Sequence, residues 1–189
     1  MSATTGGLLL AAGEGRRYGM PKALIERDGR LLVEHGLATL RAGGCDPVVV
    51  VLGAAAETVR RRADLSDALV VTNPDWPSGM GSSLRAGLDA LAGTPASAAT
   101  VLLVDTPGIT ASAVRRIGAR AAPDALVVAT YHGERGHPVL LGRGHWAGVA
   151  DLASGDVGAR RYLLAHSARV VPVACEDVAN GDDLDRPTR

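Results

Sequence analysis

LLLAAGEGRRYGMPK, residues 8–22, joins two unlike halves. Leu8 to Ala12 is a short apolar run bounded by glycine, which reads as a buried strand and not as a helix. Gly13, Gly15 and Gly19 follow at once, with Arg16, Arg17 and Lys22 between and after them. Glycine lets backbone N–H groups approach an anion closely. Successive N–H groups in a turn form an anion-binding concavity, and Arg and Lys add charge-assisted hydrogen bonds. A loop of this make-up after a strand asks for a phosphate chain.

Two better-known phosphate loops fail here. A Walker A loop ends Gly-Lys-Ser/Thr, whereas Gly19 is followed by Met20 and Lys22 by Ala23. The dinucleotide fingerprint G-x-G-x-x-G also fails, because Gly19 falls one residue late after Gly13-x-Gly15. No acid stands at the end of the next apolar run, Val48 to Gly53, to hold a ribose. Pro21 argues against a helix running through the loop.

The chain of 189 residues is expected to form one domain with a single sizeable core. Formal charge is zero, so there is no global field for nucleic acid and any anion site must be local. Phe is absent, which leaves the core to Ala, Val and Leu. The two cysteines, Cys45 and Cys175, form no metal motif and no disulfide framework, and read as buried thiols. No apolar segment approaches membrane-spanning length. Met1 to Gly6 has no signal-peptide character. The expectation is a cytoplasmic protein without nucleic-acid or membrane partners.

Working outward from the loop, Leu31–Ala42 has apolar residues at helical spacing and ends on Gly43-Gly44. Strands are predicted at 48–52, 68–72, 100–104 and 125–130, and helices at 54–63, 82–91 and 111–122. Residues 73–81 (NPDWPSGMG) and 131–136 read as loops. A strand starts at His137, helices follow at 145–153 and 158–165, and a last strand at 168–173. Alternating strands and helices imply right-handed crossovers and a mainly parallel sheet. Ligands of such sheets bind beyond the carboxyl ends of the strands. The Gly13 loop, the Trp76–Gly81 loop and Asp105 all follow predicted strands and should meet at one edge.

Asp105 directly follows an apolar strand and precedes Thr106-Pro107-Gly108. A carboxylate opposite a phosphate loop is where Mg²⁺ would be held, since that ion takes one or two carboxylates plus phosphate and water oxygens. It is expected to gain its partner only when metal and nucleotide arrive. An Asp capping the next helix or making an Asx-turn would look the same in sequence.

The pattern L-A-A-G-x-G-x-R-x-G-x-P-K resembles the signature loop of nucleotidyltransferases with a GT-A-like, Rossmann-like fold. Within them it is most similar to the molybdenum cofactor cytidylyltransferase branch, the MobA-like NTP transferase domain. The resemblance runs to about Pro187. It implies a three-layer α/β/α fold, with nucleotide bound by about residues 1–130 and a second substrate by about 131–189. It puts Arg17 and Lys22 on the triphosphate and Asp105 on the metal.

The same resemblance assigns further residues. Leu10, Ala11, Ala12, Gly13 and Gly15 would cradle the nucleotide. Gly79-Met80-Gly81-Ser82-Ser83-Leu84 is similar to the family's Gly-Met-Ser-Ser-Ser-Leu element, so Gly79, Gly81, Ser82 and Ser83 would meet the base. A helix N-cap is the plainer reading of one of these serines. Gly136-His137-Pro138-Val139 and Gly155-Asp156-Val157-Gly158-Ala159-Arg160 resemble elements facing the second substrate. That brings in His137, Pro138, Asp156 and Arg160, of which Arg160 can hold a phosphate bidentately. Asp183 and Asp185 resemble a late D-x-D-T-P element that adds a metal contact, with Arg186 in place of Thr; they also read as a solvated acidic tail.

What the resemblance implies is Mg²⁺-dependent transfer of CMP from CTP to molybdopterin, with pyrophosphate released and a molybdoenzyme or its chaperone as delivery partner. A guanylyltransferase for the same pterin, a sugar-phosphate nucleotidyltransferase and a non-catalytic cofactor delivery protein remain open.

Overall fold

The computed structural model describes residues 4–184. Its centre is β1, Thr5–Ala11, with every residue from Gly6 on buried. On one side β1 pairs in parallel with β4 (Val48–Leu52), which pairs in parallel with β5 (Leu69–Thr72). On the other it pairs in parallel with β6 (Ala98–Leu103). The sheet then continues through β8 (Glu134–Gly142) and β7 (Leu126–Tyr131) to β9 (Val171–Ala174), giving the order β5-β4-β1-β6-β8-β7-β9. Only β8 runs against its neighbours, pairing antiparallel with both β6 and β7, while β9 is parallel to β7. The mainly parallel α/β fold expected from the sequence is the one formed.

Buried side chains divide into two clusters, one on each face of the sheet. On one face Leu9, Val48, Val50 and Leu52 pack with α1 (Leu32–Ala42), α2 (Ala56–Arg62) and α4 (Ala111–Gly118). On the other, Leu8, Leu10, Val49 and Val51 pack with α3 (Met80–Ala92), α5 (Trp146–Leu152) and α6 (Arg160–Ala165). A strand covered on both faces needs no polar alternation, which is why VVVVL is apolar throughout. Each fully buried Leu or Val contributes about 1.5–3 kcal/mol relative to exposure. Side-chain bonds tie the layers at their ends. Glu34 Oε2 accepts from the Leu31 N–H (2.8 Å) at the start of α1, and its Oε1 accepts from the Asp64 N–H (2.9 Å). Arg143 donates to the carbonyls of Thr94 and Ala96, both at 2.8 Å, beyond the end of α3.

Several sequence expectations are corrected. Residues 131–136 are not a loop: β7 and β8 form a hairpin around His132-Gly133, both at positive φ, and β8 begins at Glu134. His-Gly lacks the Asn-Gly or Asp-Gly signature of such turns, so the reading took it for loop. That signature does occur at Asp28-Gly29, both at positive φ, where β2 (Glu26–Arg27) and β3 (Arg30–Leu31) make a small hairpin absent from the sequence expectation. Helix α3 begins at Met80, two residues early, with Gly79 as its N-cap in place of a serine. Helix α4 ends at Gly118, four residues short of the expected Ala122.

Among the described residues no helix is long and apolar enough to cross a membrane. Both cysteines are buried and free, and burial pushes the Cys45 thiol up to about 11. At pH 8 about one Cys45 in a thousand would then be thiolate, the form that reacts. Alkylation of the native protein at pH 8 is expected to spare Cys45, and labelling in denaturant to reach both cysteines. Peptide mapping after a short iodoacetamide pulse checks this.

Candidate active site

Because β1 and β6 are neighbours in register, Leu10 opposite Leu103, their carboxyl ends open at one place. The Val104 N–H donates to the Leu10 carbonyl (3.1 Å), extending that pairing to the residue before Asp105. The Gly13 loop therefore leaves the sheet beside Asp105. Between them is an open cavity of about 420 Å³. Its lining includes Leu10, Ala12, Gly13, Gly15, Arg17, Lys22, Gly79, Ser83, Asp105 and Asp156 from the residues singled out in sequence.

The loop is shaped by its own backbone. The N–H groups of Tyr18 and Gly19 donate to the Gly15 carbonyl at 2.9 and 2.8 Å. Gly15 has φ +66°, and a Cβ there would collide with the Met20 carbonyl, so only glycine fits. Pro21 then opens a single turn of 3₁₀ helix, Lys22–Leu24, whose Ala23 and Leu24 are buried. That anchor aims Lys22 back into the cavity.

Lys22 Nζ donates to Asp105 Oδ2 at 2.8 Å, a pair spanning 83 residues of sequence. The two side chains are only 15% and 23% exposed. Asp105 thus has a partner before any ligand, which corrects the expectation of a lone carboxylate. Nor does the Asp105 carboxylate cap the following helix. Thr110 is the N-cap of α4, its hydroxyl accepting from the Ala113 N–H. The Asp105 backbone is held separately, its carbonyl accepting from the Leu184 N–H (2.7 Å). That bond lays the tail carrying Asp183 alongside Asp105. Asp185 lies outside the described residues.

The opposite wall is α3. Asn73, buried at the end of β5, donates through Nδ2 to the hydroxyls of Ser82 (2.8 Å) and Ser83 (3.0 Å). The Ser82 hydroxyl also lies 2.9 Å from the carbonyls of both Asp75 and Gly79. Ser82 is thereby engaged inside the wall, whereas Ser83 faces the cavity. Gly81 also lies behind the wall. A Cβ on it would stand 2.6 Å from the Ser154 nitrogen, so glycine here lets the 3₁₀ turn Gly155–Val157 close against α3. That contact carries Asp156 to the cavity from the far half of the chain. Ala11 is 2% exposed and supports the loop from below.

The remaining predicted residues stand further off. His137 lines a smaller adjoining apolar cavity of about 30 Å³, with Leu10 and Met80 shared between the two. Burial pushes the His137 imidazole down to about 4, against the opposing pull of the Asp105 carboxylate. Pro138 is buried beside it, and Arg160 is exposed at the start of α6, outside both linings. Arg16 of the charged loop, and Trp76, Pro77 and Met80 of the 76–81 loop, also line the main cavity, as do Glu14, Leu103 and Val104, to which the sequence analysis gave no role. For Glu14 and Arg16 the signal was their place in the loop; Arg16 pairs with Glu14 and lies within electrostatic reach of Asp156.

The donor set was tested against a metal. Among the described residues no group of three or more His, Cys, Asp or Glu could hold an ion. Asp105, with Glu14 and Asp156 on the same cavity, fits Mg²⁺, which takes one or two carboxylates, keeps waters and draws its other oxygens from substrate.

The profile of the MobA-like NTP transferase domain family matches residues 7–170. The chain is 43% identical over 187 residues to the nicotine blue oxidoreductase of Paenarthrobacter nicotinovorans, covering 95% of this chain and 91% of that one. A Mycobacterium tuberculosis protein solved in complex with manganese is 30% identical, with a TM-score of 0.69 over 92% of this chain and 89% of that one. A nucleotidyl transferase from Methanothermobacter thermautotroptrophicus shares the fold at a TM-score of 0.82 and 20% identity, over 98% of this chain and 93% of that one.

Asp105→Asn keeps shape and removes the charge that Lys22 meets. Losing a hydrogen bond between charged groups in a mostly buried setting costs about 1.5–3 kcal/mol. For a chain of this size that is a fall in Tm of about 3–10 °C. Chemical and thermal denaturation of the ligand-free variant beside the wild type measures it.

Proposed function

The chain belongs to the family of MobA-like NTP transferase domains, and from that premise we propose that it transfers the CMP moiety of CTP to a phosphorylated acceptor, a molybdopterin, releasing pyrophosphate. The observation that carries this reading is the Lys22–Asp105 pair on the wall of a glycine-loop cavity, a cation for phosphate and a carboxylate for metal side by side.

A terminal phosphate oxygen of the acceptor would attack the α-phosphorus of the nucleotide, and the bond to the β-phosphate bridging oxygen would break. Such chemistry needs positioning and charge neutralisation more than a protein base. Lys22, Arg17 and the loop amides from Gly13 to Gly19 would neutralise the charge that develops on the departing pyrophosphate. The small side chains of Ala12 and Gly13, with Ser83 opposite, would bound the base. Arg160 would receive the acceptor's phosphate end, and Asp156, His137 and Pro138 would face the rest of that substrate. Asp105 would hold Mg²⁺, which when bound supplies charge neutralisation at the phosphates. Support for a divalent metal comes from the manganese complex of the mycobacterial relative. A molybdoenzyme or its chaperone would take the product.

A second reading has its own observation, the 43% identity to an oxidoreductase. An oxidoreductase acting on nicotine blue would need a redox co-substrate, and a nicotinamide dinucleotide carries a pyrophosphate that the same loop could hold. A delivery protein would bind pterin and release no pyrophosphate.

The experiment is a pyrophosphate-release screen with four NTPs and several phosphorylated acceptors, run beside an assay for oxidation of reduced dinucleotide with nicotine blue. Pyrophosphate release with CTP preferred over GTP and ATP is expected. Dye-dependent dinucleotide oxidation without pyrophosphate release would replace this reading with the second. Lys22→Ala is expected to lower turnover by about 10²–10³, the usual cost of one preorganised charge-stabilising donor. Arg160→Ala is expected to raise the acceptor KM and leave CTP binding near wild type, which steady-state kinetics and calorimetry separate.

A further inference from the structure

Lys22 faces two attractions at once. In the reading above its ammonium serves the triphosphate, yet in the structure it lies 2.8 Å from the one carboxylate oxygen best placed for the metal. We propose that Lys22 is a placeholder for the divalent cation at Asp105, so that the site takes up a metal–nucleotide complex and not free metal. This rests on the nucleotidyl-transfer reading and adds the order in which the ligand's parts can bind.

The argument starts from charge. The Lys22 ammonium lies 2.8 Å from Asp105 Oδ2, so a dication approaching that oxygen meets a like charge beside it. Glu14 and Asp156 also line the cavity, but Asp105 is the carboxylate that Lys22 meets, and among the described residues no group of three or more His, Cys, Asp or Glu could hold an ion by itself. At a site only 15–23% exposed, water screens the repulsion poorly. A triphosphate changes the balance, because it presents several negative oxygens to the same ammonium and further oxygens to the metal.

Geometry allows the exchange. The Lys22 backbone is fixed by its turn, with Leu24 N–H to the Pro21 carbonyl at 3.0 Å and Ile25 N–H to the Lys22 carbonyl at 3.2 Å. Only its flexible four-carbon stem has to swing, and Gly13, Gly15 and Arg17 line the same cavity. Asp105 keeps its place when the pair opens, since the Leu184 N–H holds its carbonyl at 2.7 Å. Coupling of this kind is reciprocal: nucleotide raises affinity for metal by the factor that metal raises affinity for nucleotide.

The test is calorimetric titration of Mn²⁺ into the whole protein, alone and with a CTP analogue bearing a methylene bridge between the α- and β-phosphates. Wild type is expected to take up Mn²⁺ only with the analogue. Lys22→Met should bind Mn²⁺ alone on the order of tenfold or more tighter than wild type, because a like charge near the ion has gone. That gain should vanish in Lys22→Met/Asp105→Asn. Lys22→Gln, closer in shape, repeats the measurement, and melting curves establish that each variant is folded. Wild type binding Mn²⁺ alone as tightly as Lys22→Met overturns the proposal, as does a gain that survives loss of Asp105 or an analogue that fails to promote Mn²⁺ binding. Pyrophosphate release by wild type is scored separately. If release persists while the Mn²⁺ contrast is missing, only the placeholder fails; if no NTP and acceptor pair releases pyrophosphate, the nucleotidyl-transfer reading fails.

Discussion

The parallel pairing of β1 with β6 is the constraint on which the rest of the structure depends. Leu8, Leu9 and Leu10 sit opposite Val101, Leu102 and Leu103, buried between two helical layers. A slip of one residue would turn each strand's side chains to the wrong face, so burial on both sides holds the register. With the register held, the loop after Ala11 and the acid after Val104 have no choice but to meet. Lys22 and Asp105 are neighbours because two leucine-rich strands are.

The cavity's other wall depends on small residues. Asn73 pins the first turn of α3 through Ser82 and Ser83, and Gly81 admits the backbone of Ser154. These contacts pull the second half of the chain onto the first. The antiparallel strand β8 does the same from the sheet, placing His137 beside the cavity floor. A neutral imidazole and an apolar recess under a charged cavity separate two environments within one site. Phosphates would meet the loop, and the less polar part of a second substrate would meet the recess.

Charge here is local. The chain has no net charge, yet Arg16, Arg17 and Lys22 stand on one short loop facing Glu14, Asp105 and Asp156. These cations are answered by carboxylates lining the same cavity. The chain belongs to the MobA-like NTP transferase domain family and is also 43% identical to an oxidoreductase, since a fold does not by itself fix the chemistry its site performs.

Much of this was legible in the order of residues. The strand–loop at 8–22, the parallel alternation and the position of Asp105 after a strand follow from patterns with a period or a fixed spacing, which local sequence encodes. The Asp28-Gly29 hairpin was equally legible and was overlooked. The His132-Gly133 hairpin was not, because its positive φ values are imposed by strand pairing rather than favoured by the histidine. The first turn of α3, from Met80, is pinned by Asn73 donating to Ser82 nine residues on, a bond that no helix-start pattern shows. Sequence by itself determined which residues could carry charge at the carboxyl edge of the sheet. Tertiary structure alone decided that Lys22 meets Asp105, that Ser83 faces the cavity while Ser82 and Gly81 do not, and that Asp156 reaches it when Arg160 stays outside. The Lys22–Asp105 pair and the approach of Ser154 and Asp156 to the α3 wall join residues far apart in the chain, set by packing that no local pattern contains.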